Sequence, residues 1–251
     1  MTSVPAMAPR EQAVCPTHPA KAAVGTCERC GRYVCAQCQG TEQLCPDCIR
    51  QRLESLPSSE ARAKSALGFF KLTLLVDACA LLINLWVVGA PEENTVRMTL
   101  EGVHGLVALV ALVGTIVTFL RWQHLVVRHV NALGINVDAT PGWAVGWWFI
   151  PFANLVKPYR IMRATVSGLG GDSLVDSLSL GWWWAAWVIG NMLENAEGRM
   201  VMRSGLDNPT PTAAYAVGIG SAVFSIAGAL LCMRIIQGVQ EQLEARRPSG
   251  S

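Results

Sequence analysis

The sequence predicts a mainly α-helical protein, with an integral membrane four-helix domain behind a small amino-terminal two-zinc finger. Hydrophobic residues make up 51% of the chain and charged residues only 15%, a balance typical of a membrane protein. Of the nine cysteines, seven lie before Lys64, and the rest of the chain holds only Cys79 and Cys232. The first apolar run begins near Leu67, behind the cysteines. We therefore expect no secretory signal peptide and a finger that stays in the reducing cytoplasm.

Four pairs of potential metal ligands, each with two intervening residues, predict the finger. They are Cys15 and His18, Cys27 and Cys30, Cys35 and Cys38, and Cys45 and Cys48. Zinc takes four such ligands, so eight ligands predict two Zn²⁺ ions. Catalytic zinc keeps one position open for water, whereas every position here is filled, so we expect both ions to be structural. The alternative is a disulfide framework, which the histidine and the lack of an export signal disfavour.

The order of these pairs resembles a B-box zinc finger, in which a cysteine–histidine pair comes first. The resemblance implies that the first and third pairs share one ion and that the second and fourth share the other. It groups Cys15, His18, Cys35 and Cys38 in one site, and Cys27, Cys30, Cys45 and Cys48 in the second. The final pair departs from the family, where histidines are usual, so a sequential pairing stays open. A RING-type ubiquitin ligase is disfavoured because its cysteine-x-histidine step is missing.

The finger is too short to build a core without metal, so its expected role is to display a binding surface. Arg29 and Arg32 make only a thin basic patch, and Glu28 lies beside them. We therefore expect an unknown cytosolic protein, rather than nucleic acid, as the partner of the finger.

Changes in composition divide the chain into five regions. They are a disordered tail (1–14), the finger (15–50), a linker helix (51–66), the membrane domain (67–237) and a cytoplasmic tail (238–251). The linker helix is expected to begin at Ser58–Ser59–Glu60, where serine caps and glutamate occupies the first turn. The predicted spans cover about 67–88, 102–120, 174–193 and 213–236.

A tryptophan-rich segment, residues 143–156, separates the second predicted span from the third. It is apolar, but shorter than the about 20 residues that a helical span needs, and Pro151 interrupts it. Aromatic side chains suit the headgroup boundary, so we interpret this pivot segment as interfacial or re-entrant. A broken fifth span is the alternative.

The sequence GWAVGWWFIPFANLVKPYRIMR, residues 142–163, resembles the signature of an uncharacterised bacterial family of small four-helix membrane proteins. The family is a domain of unknown function, and the resemblance covers roughly Leu67 to Gln237. It implies an integral membrane domain of bacterial origin and implies no activity.

Basic residues set the expected orientation. Those near the finger, those between the second and third spans and those of the tail lie on one side of a four-span domain, which is the cytoplasmic side. We thus expect a multi-pass protein of the bacterial inner (cell) membrane with both termini in the cytoplasm. A lone Arg97 lies in the outer loop after the first span, and the loop with Arg199 and Arg203 is the exception to the rule.

The predicted spans also carry features that bear on function. Small residues recur along the fourth span and predict a helix–helix contact, either within the bundle or between the subunits of a homo-oligomer. They are Ala214, Gly218, Ser221, Ser225 and Ala229. Polar residues at similar depths predict an outward cavity above Asp77, although each could simply bond between helices. They are Asn84, His104 and Asn191.

The leading hypothesis is a non-enzymatic, membrane-anchored zinc-finger protein with a protein-binding, scaffold or sensor role. The alternative is a small transporter or channel-like subunit with a polar site around Asp77. No GxSxG, phosphate-binding glycine loop or HExxH motif occurs in the sequence, so we expect no catalytic residues.

Overall fold

The computed structural model describes residues 13–39, 43–89, 95–204 and 212–246. These residues form two compact units. The first holds the described residues up to Pro57 together with Asn131–Ile135, and the second holds those of Ser58–Val130 and Asn136–Arg246. The boundary at Pro57 lies within the predicted linker, and most of the predicted disordered tail lies outside the described residues.

The first unit consists of two small hairpins and a helix. Strand β1 (Val14–Cys15) pairs antiparallel with β2 (His18–Ala22), and β3 (Gly25–Thr26) pairs with β4 (Tyr33–Val34). Helix α1 (Pro46–Glu54) follows, with proline in the first turn, where its missing N–H costs nothing. The core of this unit is rich in sulfur, because six buried cysteines surround a few aliphatic side chains such as Val34 and Leu44.

The second unit is helical. In chain order its helices are α2 (Glu60–Gly89), α3 (Thr95–Ala132), α4 (Pro141–Gly146), α5 (Lys157–Ser177), α6 (Leu180–Ser204) and α7 (Thr212–Ala245). The predicted capping serine is present at the start of α2, where the Glu60 N–H donates to Ser58 Oγ at 3.2 Å. Helix α7 continues to Ala245, well past the predicted end of the fourth span at residue 236.

Three helices of the described chain are long and apolar enough to cross a membrane: Glu60–Val87, Met98–Ala132 and Thr212–Ala245. They contain the first, second and fourth predicted spans. Helix α6, the counterpart of the predicted third span, has 25 residues, which is long enough, but its composition is less apolar than that of the three helices. The helix begins later than the predicted start near Leu174, because residues 174–177 belong to α5 and a turn at Ser179 (φ 53°) precedes α6.

The pivot segment is irregular, as its proline predicts. Helix α4 ends at Gly146, and two 3-10 turns follow at Trp147–Phe149 and Ala153–Leu155. Phe152, between the two turns, has a positive φ of 64°. The segment therefore contains no helix of spanning length.

Helix α7 packs against both α2 and α6 through its small residues. Ala214 and Gly218 are buried, and a Cβ at Gly218 would lie 2.5 Å from Glu197 Oε1 of α6 and 2.9 Å from Asn84 Nδ2 of α2. Ser221 Oγ donates to the Gly190 carbonyl of α6 at 3.5 Å. The small-residue face thus forms a contact within the chain.

Candidate metal centres

The first cluster joins two separate turns of the chain. Cys15 and His18 face each other across the tight β1–β2 turn. Cys35 and Cys38 lie on a second turn after β4, closed by the Cys38 N–H donating to the Cys35 carbonyl at 2.9 Å. The ligand atoms of these four residues all lie within 4.8 Å of one another. His18 Nδ1 is 3.6 Å from the Cys35 sulfur and 3.2 Å from the Cys38 sulfur.

The second cluster joins the β3–β4 turn to the start of α1. Cys27 and Cys30 flank a turn that ends at Gly31, whose positive φ of 70° suits glycine. Cys45 is the N-cap residue of α1 and Cys48 lies in its first turn. Again the four ligand atoms lie within 4.8 Å of one another. The N–H of Cys45 donates to the Cys27 sulfur at 3.2 Å, which ties the two turns together.

Two of the ligand separations match those around a tetrahedral metal ion, and the His18–Cys38 separation of 3.2 Å is shorter. With metal–sulfur bonds of about 2.3 Å and metal–nitrogen bonds of about 2.0–2.1 Å, tetrahedral ligands lie about 3.6–3.8 Å apart. The Cys30 and Cys45 sulfurs are 3.7 Å apart, and the His18–Cys35 separation agrees equally well. All seven cysteines of the unit are free thiols. The amino-terminal unit therefore holds two clusters, of three cysteines with one histidine and of four cysteines, that could bind two metal ions.

The thiols of each cluster differ in acidity. Burial, with contacts to neighbouring sulfurs, raises the pKa of Cys38 to about 11 and that of Cys48 to about 12. Burial also acts on Cys15 and Cys27, but backbone N–H donors outweigh it and lower the pKa of each to about 6. Each cluster thus favours one thiolate and disfavours another on its own. A divalent cation would supply the charge that allows all of its cysteines to ionise.

The grouping matches what the B-box resemblance implied: the first and third pairs lie together, and so do the second and fourth. The β3–β4 hairpin links the clusters, because β3 leads into Cys27 and β4 leads into Cys35. The spacing of the cysteines does not by itself show that Cys27 and Cys35 follow the two arms of one hairpin.

Three polar residues of the predicted outward cavity form separate hydrogen bonds. His104 Nε2 lies 3.1 Å from the Val76 carbonyl, and Asn191 donates to the Trp187 carbonyl of its own helix at 2.8 Å. Asp77 instead accepts a hydrogen bond from Ser225 Oγ at 2.5 Å. Local bonds thus account for His104 and Asn191, and Asp77 pairs with the small-residue face of α7.

Two buried amides were missed by sequence reasoning. Gln240 accepts from Ser59 Oγ at 2.8 Å and from Trp122 Nε1 at 3.4 Å, which connects α7 to the start of α2 and to α3. Gln123 accepts from Trp148 Nε1 at 2.8 Å, which fixes the pivot segment to α3. The signal was available, because a glutamine within an apolar helix needs a partner.

The structure defines a class of protein in which a cysteine-rich module with two potential metal sites is joined to a membrane-type helical domain. Within that class, the chain belongs to the family described as Domain of unknown function (DUF4328), whose model matches residues 87–241. The match begins near the end of α2, later than the predicted start at Leu67, so the two clusters lie outside it. No curated protein and no solved structure matches the chain.

Proposed function

We propose that both clusters bind Zn²⁺ and that the ions are structural. The observation that carries this proposal is that each cluster brings four potential ligand atoms within 4.8 Å of one another. Three cysteines with one histidine, and four cysteines, are the usual ligand sets of structural zinc, and soft thiolates favour zinc over magnesium or calcium. A filled set of ligands leaves no position for a catalytic water. The proposed sites are those of a B-box-like finger.

The proposed role of the finger is to bind a cytosolic protein at the membrane, as a scaffold or sensor without enzymatic activity. Apolar side chains on its surface support this role. Val14, Val24 and Tyr33 are all about half exposed although they lie on or beside strands. A unit stabilised by metal can leave such residues available for a partner, because its core does not need them. The membrane unit then serves as the anchor.

For the second unit we propose four spans in a bacterial inner membrane, with α6 as the least apolar, and with both termini in the cytoplasm. The pivot segment is proposed to lie in the cytoplasmic interface. Phe149 is 68% exposed and Phe152 85% exposed, as suits side chains in contact with lipid. Lys157 Nζ lies 5.2 Å from the centre of the Trp147 ring, which combines a basic and an aromatic side chain as interfacial anchors do.

The test of partner binding uses the full chain in its native membrane, with the photo-crosslinking amino acid p-benzoylphenylalanine at position 33. We expect crosslinks to a cytosolic protein that disappear in the Val24→Ser variant and after removal of metal with a permeant chelator. The same amino acid at Glu241, which is exposed on α7, is the control. Crosslinks that survive both Val24→Ser and chelation would contradict the proposal.

The test of orientation places single cysteines at positions 136 and 167 in a chain that otherwise retains only the finger cysteines. Both should resist an impermeant thiol reagent added outside the cell, because both flanks of an interfacial segment face the cytoplasm. Cysteines at Asn94 and Asn208, which lie outside the described residues, should both react. Labelling at position 167 but not at 136 would mean that the pivot segment crosses the membrane.

A further inference from the structure

A cavity of about 340 Å³ lies within the second unit, between α2, α3, α6 and α7. Its volume is in the range of small-molecule sites, about 300–1,000 Å³. Aromatic rings line much of it: Phe70, Phe119, Trp148, Trp183, Trp187 and Phe224. Sites for apolar ligands have this composition, with a few polar groups that fix the orientation of the ligand.

Trp148 of the pivot segment gives the cavity a fixed aromatic wall. Its ring packs edge-on against Phe119, with 5.7 Å between centroids, and against Trp187, with 5.5 Å between centroids. Its Nε1 donates to Gln123 Oε1, and Gln123 is 1% exposed. The hydrogen bond and the two ring contacts hold the indole in one orientation.

Several polar groups of the lining are paired within the protein. The Asn191 amide donates one N–H to the Trp187 carbonyl, and the Ser221 hydroxyl donates to the Gly190 carbonyl. Ser225 donates to the Asp77 carboxylate, and Thr73 and Thr115 share one hydrogen bond. The lining also carries the Glu194 carboxylate, which can only accept hydrogen bonds when it is ionised.

This part of the cavity is also negatively charged. Glu194 lines the cavity and Asp77 stands one hydrogen bond behind it. Within the described ranges of the chain, neither Asp77 nor Glu194 has a basic side chain within ion-pair distance. His104 lies close to Asp77, with its Nε2 3.1 Å from the carbonyl of the adjacent Val76. Glu194 is exposed, so its carboxylate is open to a positively charged ligand in the cavity.

We propose that this cavity binds an amphiphilic organic cation. The apolar body of the ligand lies against the aromatic rings, and its positive charge faces Glu194 and the face of a tryptophan. A desolvated cation over an indole ring gains about 2 kcal/mol, and the carboxylate adds attraction that a neutral ligand does not receive. An anion of the same shape is repelled. The cavity lies in the membrane unit, so this proposal does not depend on the proposed binding of a partner by the finger.

The test uses the full chain in neutral detergent and the lipophilic cation tetraphenylphosphonium, with binding measured by calorimetry and by quenching of tryptophan fluorescence. Glu194→Gln should weaken binding by about fivefold, the upper end for a solvent-exposed charge. Glu241→Gln, which changes an exposed acid of α7 away from the cavity, should leave the dissociation constant unchanged. Tetraphenylborate, of the same shape and opposite charge, should bind more weakly than the cation, and the difference should narrow in Glu194→Gln.

A second variant keeps the proposal testable if Glu194→Gln does not fold. Ile116 lines the cavity and is 42% exposed, so Ile116→Trp should fill the cavity without disturbing the buried core and should abolish binding of tetraphenylphosphonium. Equal affinities for the two ions, or binding unaffected by either substitution, would overturn the proposal. Equal affinities would mean that the cavity takes apolar ligands whatever their charge, and binding unaffected by either substitution would mean that the cation binds elsewhere.

Discussion

The two clusters should lose their metal together, because the β3–β4 hairpin carries Cys27 and Cys30 of the second cluster and leads directly into Cys35 of the first. Cys35→Ala removes a ligand from the first cluster at the end of β4. That strand pairs with β3 through Gly25↔Val34 and Thr26↔Tyr33, and the Cys27 N–H donates to the Arg32 carbonyl at 2.8 Å. Structural zinc contributes about 10–16 kcal/mol, far more than the about 1.5–3 kcal/mol from one buried aliphatic side chain such as Val34. Once the first ion is lost, little remains to hold β4 against β3.

We therefore expect wild-type chain to carry two zinc ions and Cys35→Ala to carry fewer than one, rather than the single ion left by independent sites. The assay is elemental analysis by mass spectrometry of the full chain purified in detergent, with zinc release followed under increasing chelator. Cys79→Ala, which removes an exposed thiol of α2, is the control and should keep both ions. If Cys35→Ala retained one ion with the chelator resistance of the wild type, the reasoning from the shared hairpin would be refuted.

Three further outcomes follow from particular contacts. Zinc binding at pH 7 should release at least one proton per cluster, because the raised pKa values of Cys38 and Cys48 keep these thiols protonated at that pH until the metal displaces the proton; calorimetry in buffers of different ionisation enthalpy measures it. Gly114→Ala should destabilise the membrane unit by about 1–3 kcal/mol, since its Cβ would lie 2.0 Å from Phe69 Cε1; thermal unfolding in detergent measures it. Gln240→Leu should cost about 1–3 kcal/mol in the same assay, because it leaves the buried Ser59 hydroxyl without its acceptor.

Matched variants serve as controls for these outcomes. Gly105→Ala has nothing within 4 Å of the new Cβ, and Gln237→Leu changes an exposed residue of α7, so both should unfold as the wild type does. Phe69→Ala should relieve most of the cost of Gly114→Ala. A Gly114→Ala protein as stable as Gly105→Ala, or zinc binding without proton release, would contradict the respective argument.

The clusters could be predicted from sequence because covalent spacing fixes their geometry. Two residues between ligands give a tight turn whatever surrounds it, so the pairs of Cys15 with His18 and of Cys45 with Cys48 were visible at once. Which pair joins which depends on the path of the intervening chain. The pairing of the ligand pairs was expected only from the resemblance to a B-box. In the structure, the hairpin between Cys27 and Cys35 directs these two cysteines to different clusters.

The three apolar helices were predictable for a similarly simple reason, since transfer into hydrocarbon depends on composition over about 20 residues. The ends of the helices were harder to predict. An apolar run ends where polar residues begin, but α6 continues through Glu194 and Glu197 to Ser204, because glutamate favours the helix even in water. The start of α6 depends on a single positive φ at Ser179, which no periodic pattern reports.

The predicted Asp77 cavity shows what counting along helices leaves out. Residue numbers give the depth of His104 and Asn191, but not the rotation of each helix about its axis. In the structure that rotation turns both side chains to nearby carbonyls and turns Asp77 toward Ser225. The cavity of the membrane unit includes Asn191 and Glu194 in its lining, but much of its wall consists of aromatic rings, whose convergence no pattern along one helix reports.

The pivot segment joins these observations. Its backbone carries a positive φ at Phe152, a conformation that costs about 1–3 kcal/mol in a residue other than glycine. Contacts on either side hold it: Trp148 is bonded to Gln123, and the buried Pro158 begins α5 just beyond. The same tryptophan is a wall of the cavity, whereas Phe152 is exposed. One short, irregular segment therefore both lines the cavity and presents an apolar side chain at the surface, and a regular helix over the same residues would not require a positive φ to do so.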